Sequence, residues 1–262
     1  MHVTPTELRV VRRGELLLRY ALLDDVAYVL AEVPSSGSRG TTLEAPCEDA
    51  HWAIVLRGEL ELIQGDNVRR LPAGTAFHVP AGRPEHRFRS KGRTVFAGFV
   101  PVDPDAVAGG APGHLPVWGD GSSEVVPGKE PELRVEPTIV SGGKVVTLQS
   151  GEVDAEAADM GGWILCRASF GSTSGYGSSW CDLPHWGMVL RGGLGIEWED
   201  DVEVLSAGDV YHCRQGPPGH RFEVADSATI IDITPREAYS ATARIVDWRP
   251  RLSVFEPTPG AR

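Results

Sequence analysis

The sequence contains few of the residues that mark secreted and membrane proteins. Its 262 residues include only four cysteines, too few for a disulfide framework in a chain of this length, so a reducing compartment is expected. No segment approaches the roughly 18 apolar residues that a membrane-spanning helix needs, and the N-terminal residues lack the apolar stretch of a secretory signal. We therefore expect a soluble, cytoplasmic protein with no membrane partner.

Positive charge is scarce as well. Lys and Arg number 25 against 36 Asp and Glu, which gives a formal net charge of -11. Nucleic-acid affinity comes largely from Lys and Arg side chains, which displace the counterions of phosphates. The charge balance therefore argues against DNA or RNA as a partner.

Stretches with helical periodicity are also missing. Instead, 31 Gly and 20 Pro punctuate the chain, and the apolar residues come in short runs such as LRVV, ELLLRY and VAYVLAEV. Short apolar runs between turn-forming residues are typical of strands. The sequence therefore predicts an all-β protein.

What the sequence does contain is a repeat. Residues 47–88 and 181–222 align without a gap at a constant shift of 134, with 19 identities in 42 positions, where unrelated segments would share about three. The duplication predicts two domains. We assign residues 1–102 to the first domain, the Pro/Gly-rich residues 103–135 to a linker, and residues 136–262 to the second domain with a C-terminal arm.

Both copies of the repeat keep a cysteine, a histidine four residues later and a histidine after a second turn. These residues are Cys47, His51 and His86 in the first copy and Cys181, His185 and His220 in the second. On one straight strand a Cys and a His at this spacing would lie roughly 13 Å apart, so the turn formers between them, such as Asp49, Asp182 and Pro184, must fold the chain back. Three such ligands with an open fourth position are the arrangement of catalytic zinc.

Two further histidines, His78 and His212, occupy matching positions in the repeat. If they face inward beside the three ligands, they supply a fourth ligand or an acid–base group, and if not, they cap or pack. We predict His78 and His212 as the catalytic residues. Cys166 and Cys213 have no repeat partner and are predicted to be small core residues.

The alternation of side chains after His51 predicts which face each one occupies. If His51 points into a barrel, Ala53 and Val55 point with it and leave space near the histidine. The outward set is large and apolar: Trp52, Ile54 and Leu56, repeated as Trp186, Met188 and Leu190. A solvated face would alternate to polar residues, so we expect the other domain or a second subunit, as in a homodimer, to cover this face.

The spacing of these residues resembles the cupin superfamily, and in particular a bicupin, in which one chain joins two jelly-roll barrels. The first cupin motif runs G-x5-H-x-H-x(3,4)-E-x6-G, and the second runs G-x5-P-x-G-x2-H. In the first copy His51 stands at the Glu position and Cys47 stands at the second His position. The remaining matches are Gly58, Gly74, Pro80, Gly82 and, with one extra residue before it, His86. In the second copy the matches are His185, Gly192, Gly208, Gly216 and His220, with Arg214 in place of the Pro. The resemblance implies two tandem cupin-type jelly-roll β-barrels over most of the chain.

The ligand positions depart from the family pattern. Ala45 and Ser179 stand where the first His of the pair is expected, and the motif Glu is His in both copies. The His/His/Glu/His iron or manganese site that the family implies is therefore not predicted, and an oxalate-decarboxylase-like activity loses support. A thiolate with two imidazoles is a softer ligand set, which favours zinc, with iron, nickel or cobalt as alternatives.

Three functions remain open at this point. The first is a metal-dependent enzyme that acts on a small carbonyl- or oxygen-rich substrate inside the barrel through Lewis-acid chemistry, as a lyase, isomerase or hydrolase. The second is a non-catalytic sensor that binds a small molecule or the metal. The third is a structural zinc with no chemistry. The fold alone does not choose among them, because one fold hosts many activities.

Overall fold

The computed structural model describes most of both repeats. The described residues are 2–4, 7–13, 16–33, 46–48, 50–90, 92–102, 133, 137–140, 145–150, 153–160, 162–171 and 180–238. Nearly all of the predicted linker, the end of the predicted C-terminal arm, and the positions of Ala45, Asp49 and Ser179 lie outside them.

The described chain is built from strands. In chain order these are β1 His2–Val3, β2 Arg9–Arg13, β3 Leu16–Leu23, β4 Val26–Val33, β5 His51–Arg57, β6 Glu59–Gln64, β7 Asn67–Pro72, β8 Thr75–Val79, β9 His86–Ser90, β10 Thr94–Pro101, β11 Thr138–Val140, β12 Val145–Ser150, β13 Val153–Asp159, β14 Trp163–Phe170, β15 His185–Glu197, β16 Val202–Ser206, β17 Val210–Cys213, β18 Arg221–Glu223 and β19 Ala228–Pro235. Among the described residues only 236–238 are helical, and no described helix has the length and apolar character needed to cross a membrane. The prediction of an all-β protein is confirmed.

The chain divides into two compact units. The first barrel is Val3–Val140, and the second barrel is Met1–His2 together with Ser141–Arg262. The division differs from the predicted start of the second domain at residue 136, because β11 pairs in parallel with β8 of the first barrel. A parallel pair adds a strand to an existing sheet, so residues 138–140 belong with the first barrel.

The first barrel consists of two sheets. The larger one has the order β11-β8-β5-β10-β4-β3-β2, and the smaller one has the order β7-β6-β9. Strands β5 and β6 are separated at Gly58, whose φ is 82°. A Cβ at this position would lie 2.7 Å from Thr94 Oγ1 and 2.8 Å from Arg93 O. Glycine is therefore required where the chain passes from one sheet to the other.

The second barrel repeats this plan with one continuous strand. Its main sheet has the order β17-β15-β19-β14-β13-β12, and β16 and β18 also pair with β15. The 13 residues of β15 cover the positions of both β5 and β6. Its first half pairs with β17 and β19, and its second half pairs with β16 and β18. The first residue of β15, His185, thus lies at the same place as His51 at the start of β5.

Each barrel encloses its own apolar core. In the first, Ala53, Val55, Phe77 and Val79 belong to one buried cluster, and the alternation of β5 and β8 places them on the inner face with His51. The outward residues of β5 and of its counterpart in β15 are buried as well; they are Trp52, Ile54, Leu56, Trp186, Met188 and Leu190.

Candidate metal centres

A tight turn brings the cysteine and the first histidine of each repeat together. Cys47 Sγ lies 3.3 Å from His51 Nε2, and Cys181 Sγ lies 3.4 Å from His185 Nε2. A thiolate and an imidazole bound to one tetrahedral zinc ion would be separated by roughly 3.5 Å, given the usual Zn–S and Zn–N bond lengths. The predicted folding back of the chain is therefore found in both barrels, and the spacing suits a shared metal.

Backbone hydrogen bonds fix the third residue beside this pair. Cys47 and His86 exchange two of them, with N···O distances of 2.9 and 3.0 Å, and Cys181 and His220 exchange two at 2.7 and 3.0 Å. The two turns are joined further by Gly82 N to Glu48 O at 2.8 Å in the first barrel. The main chain therefore holds each cysteine directly opposite the third histidine of its cluster.

The three side chains in each barrel form a compact cluster. The candidate ligand atoms of Cys47, His51 and His86 all lie within 4.8 Å of one another, and the same holds for Cys181, His185 and His220. These six are the residues that the sequence predicts as metal ligands, and the structure brings them together in two groups of three.

The third histidine of each cluster is buried without hydrogen bonds from its ring. His86 and His220 are 0% exposed, and among the described residues neither Nδ1 nor Nε2 of either ring has a hydrogen-bond partner. Leaving a buried polar group unsatisfied costs about 1–3 kcal/mol. A metal ion held jointly with the cysteine and the other histidine would satisfy one nitrogen of each ring, so the residues present fit a bound metal.

Burial keeps both histidines of the first cluster neutral. Desolvation, reinforced by the charges of His86 and His78, lowers the pKa of His51 to about 3. Desolvation lowers the pKa of His86 to about 4. A metal binds the neutral imidazole, so neither ring has to lose a proton near neutral pH before it can act as a ligand.

In the second cluster, the pKa of one histidine is raised instead of lowered. Desolvation alone would lower the pKa of His185, but hydrogen bonds to Asp232 and Cys181, together with their negative charge, raise it to about 10. Its partner His220 has its pKa lowered to about 3, mainly by desolvation and further by the charge of His185. The surroundings of His185 therefore favour its positively charged form, whereas those of His51 favour the neutral form.

His185 has a set of polar groups behind it, among them Asp232, whose hydrogen bond and charge contribute to the raised pKa. Its Nδ1 is hydrogen bonded to Thr234 Oγ1 at 2.9 Å and lies 3.4 Å from Asp232 Oδ2. Tyr211 donates its hydroxyl to the same carboxylate oxygen at 3.4 Å. None of these three residues is among those predicted from the sequence. Asp232 and Thr234 lie beyond the aligned 42 positions, although the shift of 134 continues to hold along β10 and β19.

The matching positions of the first barrel carry no such groups. At the shift of 134, Asp232, Thr234 and Tyr211 correspond to Gly98, Val100 and Phe77. Asp232 pairs across the sheet with Gly187, and Gly98 pairs with Ala53. A Cβ at Gly98 would lie 2.9 Å from Ala53 Cβ and 2.8 Å from Trp52 O. The first barrel thus has no room for a side chain where the second barrel has a carboxylate.

His78 and His212, predicted as the catalytic residues, do not join the clusters. His78 pairs in register with Trp52, and the two rings are stacked with centroids 5.1 Å apart. His212 stacks in the same way on Trp186 at 4.7 Å. Because Trp52 and Trp186 point away from the barrel interior, both histidines lie on the face opposite to His51 and His185. Direct proton transfer at the clusters does not fit this placement.

Residues 40–99 match a family model described as a cupin domain. A mutant of Bacillus subtilis oxalate decarboxylase aligns with 99% of this chain and 84% of its own, at 12% identity and a TM-score of 0.63. AerE from Microcystis aeruginosa aligns with 87% of this chain and 96% of its own, at 13% identity and a TM-score of 0.54. No curated protein shows a significant sequence match to the chain.

At these identities the likeness to solved structures concerns the fold. It confirms two tandem cupin-type jelly-roll barrels, as the resemblance in the sequence implied. Another structure in this group, with a TM-score of 0.63, was used to study the Mn(II) centres of the Bacillus subtilis oxalate decarboxylase.

Proposed function

This chain is a cupin-fold protein with two barrels, and from that premise we propose that each barrel binds one divalent metal ion through its cysteine and two histidines. We further propose that the second barrel uses its metal on a small carbonyl- or oxygen-rich substrate, in the manner of a lyase, isomerase or hydrolase. The observation that carries the proposal is the pair of fully buried histidines, His86 and His220, whose ring nitrogens have no hydrogen-bond partner among the described residues.

Zinc is the metal that the ligand set favours. Thiolate and imidazole ligands suit zinc, with iron, nickel and cobalt as alternatives, whereas manganese prefers carboxylate and other oxygen ligands. Neither cluster contains a carboxylate among its three candidate ligands. Although the chain shares its fold with oxalate decarboxylases, we therefore do not extend their Mn(II) centres or their reaction to it.

Three protein ligands leave a fourth position for water or substrate. When bound, the metal would supply a Lewis acid for a carbonyl or phosphoryl oxygen, or lower the pKa of a bound water. The chain itself contributes different groups in the two barrels. In the second, Tyr211 and the carboxylate of Asp232 form a hydrogen-bonded pair next to His185 and are suited to hold or move a proton.

The second barrel also has an unused hydrogen-bond donor close to its cluster. The ring of Trp198 lies 5.5 Å from that of His220, and its Nε1 is buried without a hydrogen-bond partner among the described residues. Gln64 stands at the matching position of the first barrel. An N–H group of this kind could orient an oxygen-rich substrate, which supports placing the chemistry in the second barrel.

The first barrel supports a different role. Its inner face near His51 carries Ala53, Phe77 and Gly98, none of which can donate or accept a proton through its side chain. A metal there would have ligands but no acid–base group from these positions. We therefore propose that the first site stabilises its barrel or binds a ligand without turning it over.

Metal content per chain tests the proposal. The purified protein is loaded with zinc, freed of excess metal and analysed by elemental mass spectrometry. We expect two zinc ions per wild-type chain, one in Cys47→Ser, one in Cys181→Ser and none in the double variant. Cys166→Ala is the matched control, because Cys166 lies on β14 outside both clusters, and it should keep both ions. A wild-type chain without zinc would overturn the proposal.

Coordination number then separates the roles. X-ray absorption on Cys47→Ser, which retains the second site alone, should show three protein ligands and one light oxygen ligand. Four protein ligands would favour a purely structural site there. Loss of folded structure on chelation in Cys181→Ser, but not in Cys47→Ser, would agree with a stabilising metal in the first barrel.

A further inference from the structure

We propose that Asp232 and Thr234 are positioning residues that hold His185 in its metal-binding orientation and strengthen the metal affinity of the second barrel. This inference rests on the proposed metal-binding function. It goes further by naming residues that act on the site without being ligands themselves.

The two nitrogens of His185 face different partners. Nε2 points toward Cys181 Sγ at 3.4 Å, so this nitrogen belongs to the metal cluster. Nδ1 faces Thr234 Oγ1 at 2.9 Å and Asp232 Oδ2 at 3.4 Å. Histidines that bind metals almost always donate their other ring N–H to a carboxylate or another oxygen, which fixes the tautomer and the ring orientation. The contacts of His185 have this arrangement.

The two oxygen-bearing residues are built into the barrel wall. Asp232 and Thr234 are 5% and 3% exposed, and both lie on β19 at alternate positions that face the interior. Tyr211 holds Asp232 from the other side. Gly187 provides the space, because a Cβ there would overlap the ring of Tyr211. Buried groups of this kind have few alternative conformations, so they can keep the ring in place without a metal.

The first barrel cannot orient His51 in this way. Gly98 has no side chain and Val100 has no polar atom, and these residues stand at the matching positions of β10. His51 therefore has no carboxylate or hydroxyl behind its ring at these positions. Outer partners of this type typically change metal affinity by about 10- to 100-fold. We expect Asp232 and Thr234 each to contribute a factor in this range to the zinc affinity of the second barrel.

The test measures zinc affinity of the second site alone. In a Cys47→Ser background, Asp232→Asn and Thr234→Val are titrated with zinc against a chromophoric chelator. Each should weaken binding by about 10- to 100-fold, and Thr234→Ser, which restores the hydroxyl, should return it to within about threefold of the parent. Thr229→Val is the matched control. Thr229 lies on the same strand and is buried, but its hydroxyl contacts Ser169 Oγ at 3.2 Å, so its loss should leave the affinity unchanged.

Two readouts separate positioning from folding. The thiolate-to-cobalt charge-transfer band of the cobalt-loaded protein should shift in Asp232→Asn and Thr234→Val but not in Thr229→Val. Thermal unfolding of the metal-free variants shows whether stability falls in parallel. Unchanged affinity in both variants, or losses matched by Thr229→Val, would overturn the inference while the metal site stands. If the Cys47→Ser parent binds neither zinc nor cobalt, the proposed function fails and this inference fails with it.

Discussion

Where the first barrel has Ala53 opposite Gly98, the second has Gly187 opposite Asp232. The two pairs occupy equivalent positions, on β5 and β10 in the first barrel and on β15 and β19 in the second, and in each pair one residue is glycine. The glycine lies on β10 in the first barrel and on β15 in the second. As a result, the backbone and Ala53 occupy the space behind the first histidine in the first barrel, whereas a carboxylate occupies it in the second.

The ligand sets themselves do not differ. Both clusters contain Cys, His and His at corresponding positions, and both have the third histidine fully buried. A duplicated site can therefore keep its ligands while its surroundings diverge. If both clusters bind metal as proposed, differences in metal affinity and reactivity between the barrels must come from the groups behind the candidate ligands.

Removing the buried histidine should give the largest effect. Structural zinc binding of about 10–16 kcal/mol shared among four ligands corresponds to about 2.5–4 kcal/mol per ligand, or roughly 70- to 900-fold in affinity. We expect His86→Ala to remove the zinc-binding phase of the first barrel and His220→Ala to remove that of the second, measured by chelator competition.

His78→Ala provides the control for this prediction. His78 resembles the cluster histidines in sequence but stacks on Trp52 outside the cluster. The variant should keep both binding phases. Loss of a phase in His78→Ala would contradict the placement of this residue on the outer face.

Acidification of the metal-free protein should destabilise the two barrels unequally. The pKa values of His51 and His86 are lowered to about 3 and 4, so below the ordinary value of about 6.5 the unfolded chain takes up protons that the folded barrel does not. No penalty exists above pH 6.5, and it grows as the pH falls. At about 1.4 kcal/mol per pH unit, each histidine costs about 2 kcal/mol at pH 5.

The second barrel contains one histidine with a lowered pKa and one with a raised pKa. His220 carries the same penalty, but the raised pKa of His185 contributes stability that is fully present below pH 6.5 and is lost only as the pH rises toward 10. Hydrogen exchange of the chelator-treated protein at pH 7 and pH 5 should therefore show larger loss of protection in β5 and β9 than in β15 and β18. Equal losses would contradict the assigned difference between His51 and His185.

Gly187→Ala should cost less than loss of a ligand but more than a surface substitution. The added methyl would overlap the buried ring of Tyr211, and overpacking of this kind costs about 1–3 kcal/mol. Urea unfolding measures the loss, and zinc titration should show weaker binding in the second barrel, because Tyr211 and Asp232 must move. Ala53→Gly in the first barrel is the counterpart. It removes a contact without displacing a ligand partner and should leave zinc affinity unchanged.

Much of this arrangement can be predicted from sequence. The repeat identifies the fold, and the three retained ligand types identify both clusters, because a turn that returns the chain to its start needs only local residues such as Asp182 and Pro184. The side on which His78 lies cannot be obtained in this way. It depends on the register of β8 against β5, and shifting a pair by one residue would move every side chain to the other face.

Asp232 and Thr234 could not be predicted from the sequence, for a different reason. Sequence identity between the copies falls after Phe88 and Phe222, beyond the last candidate ligand of each copy. One local signal exists: Asp232 interrupts the otherwise apolar run TIIDIT on β19. A charged residue at an inward position of a buried strand requires a partner. Which partner it has follows only from the three-dimensional pairing of β19 with β15.

The smallest effect is expected from Tyr211→Phe. Its hydroxyl lies 3.4 Å from Asp232 Oδ2, at the long end of the hydrogen-bond range, so its removal should cost at most about 0.5–1.5 kcal/mol in urea unfolding. The first barrel already has Phe77 at this position, which shows that the ring without the hydroxyl fits this wall. Zinc affinity of the second site should fall less than in Asp232→Asn, because Thr234 still holds His185. The reverse change, Phe77→Tyr, should destabilise the first barrel more than Tyr211→Phe destabilises the second, since Gly98 offers no carboxylate to receive the hydroxyl. Equal costs for the two changes would mean that the carboxylate behind His185 is not what distinguishes the barrels.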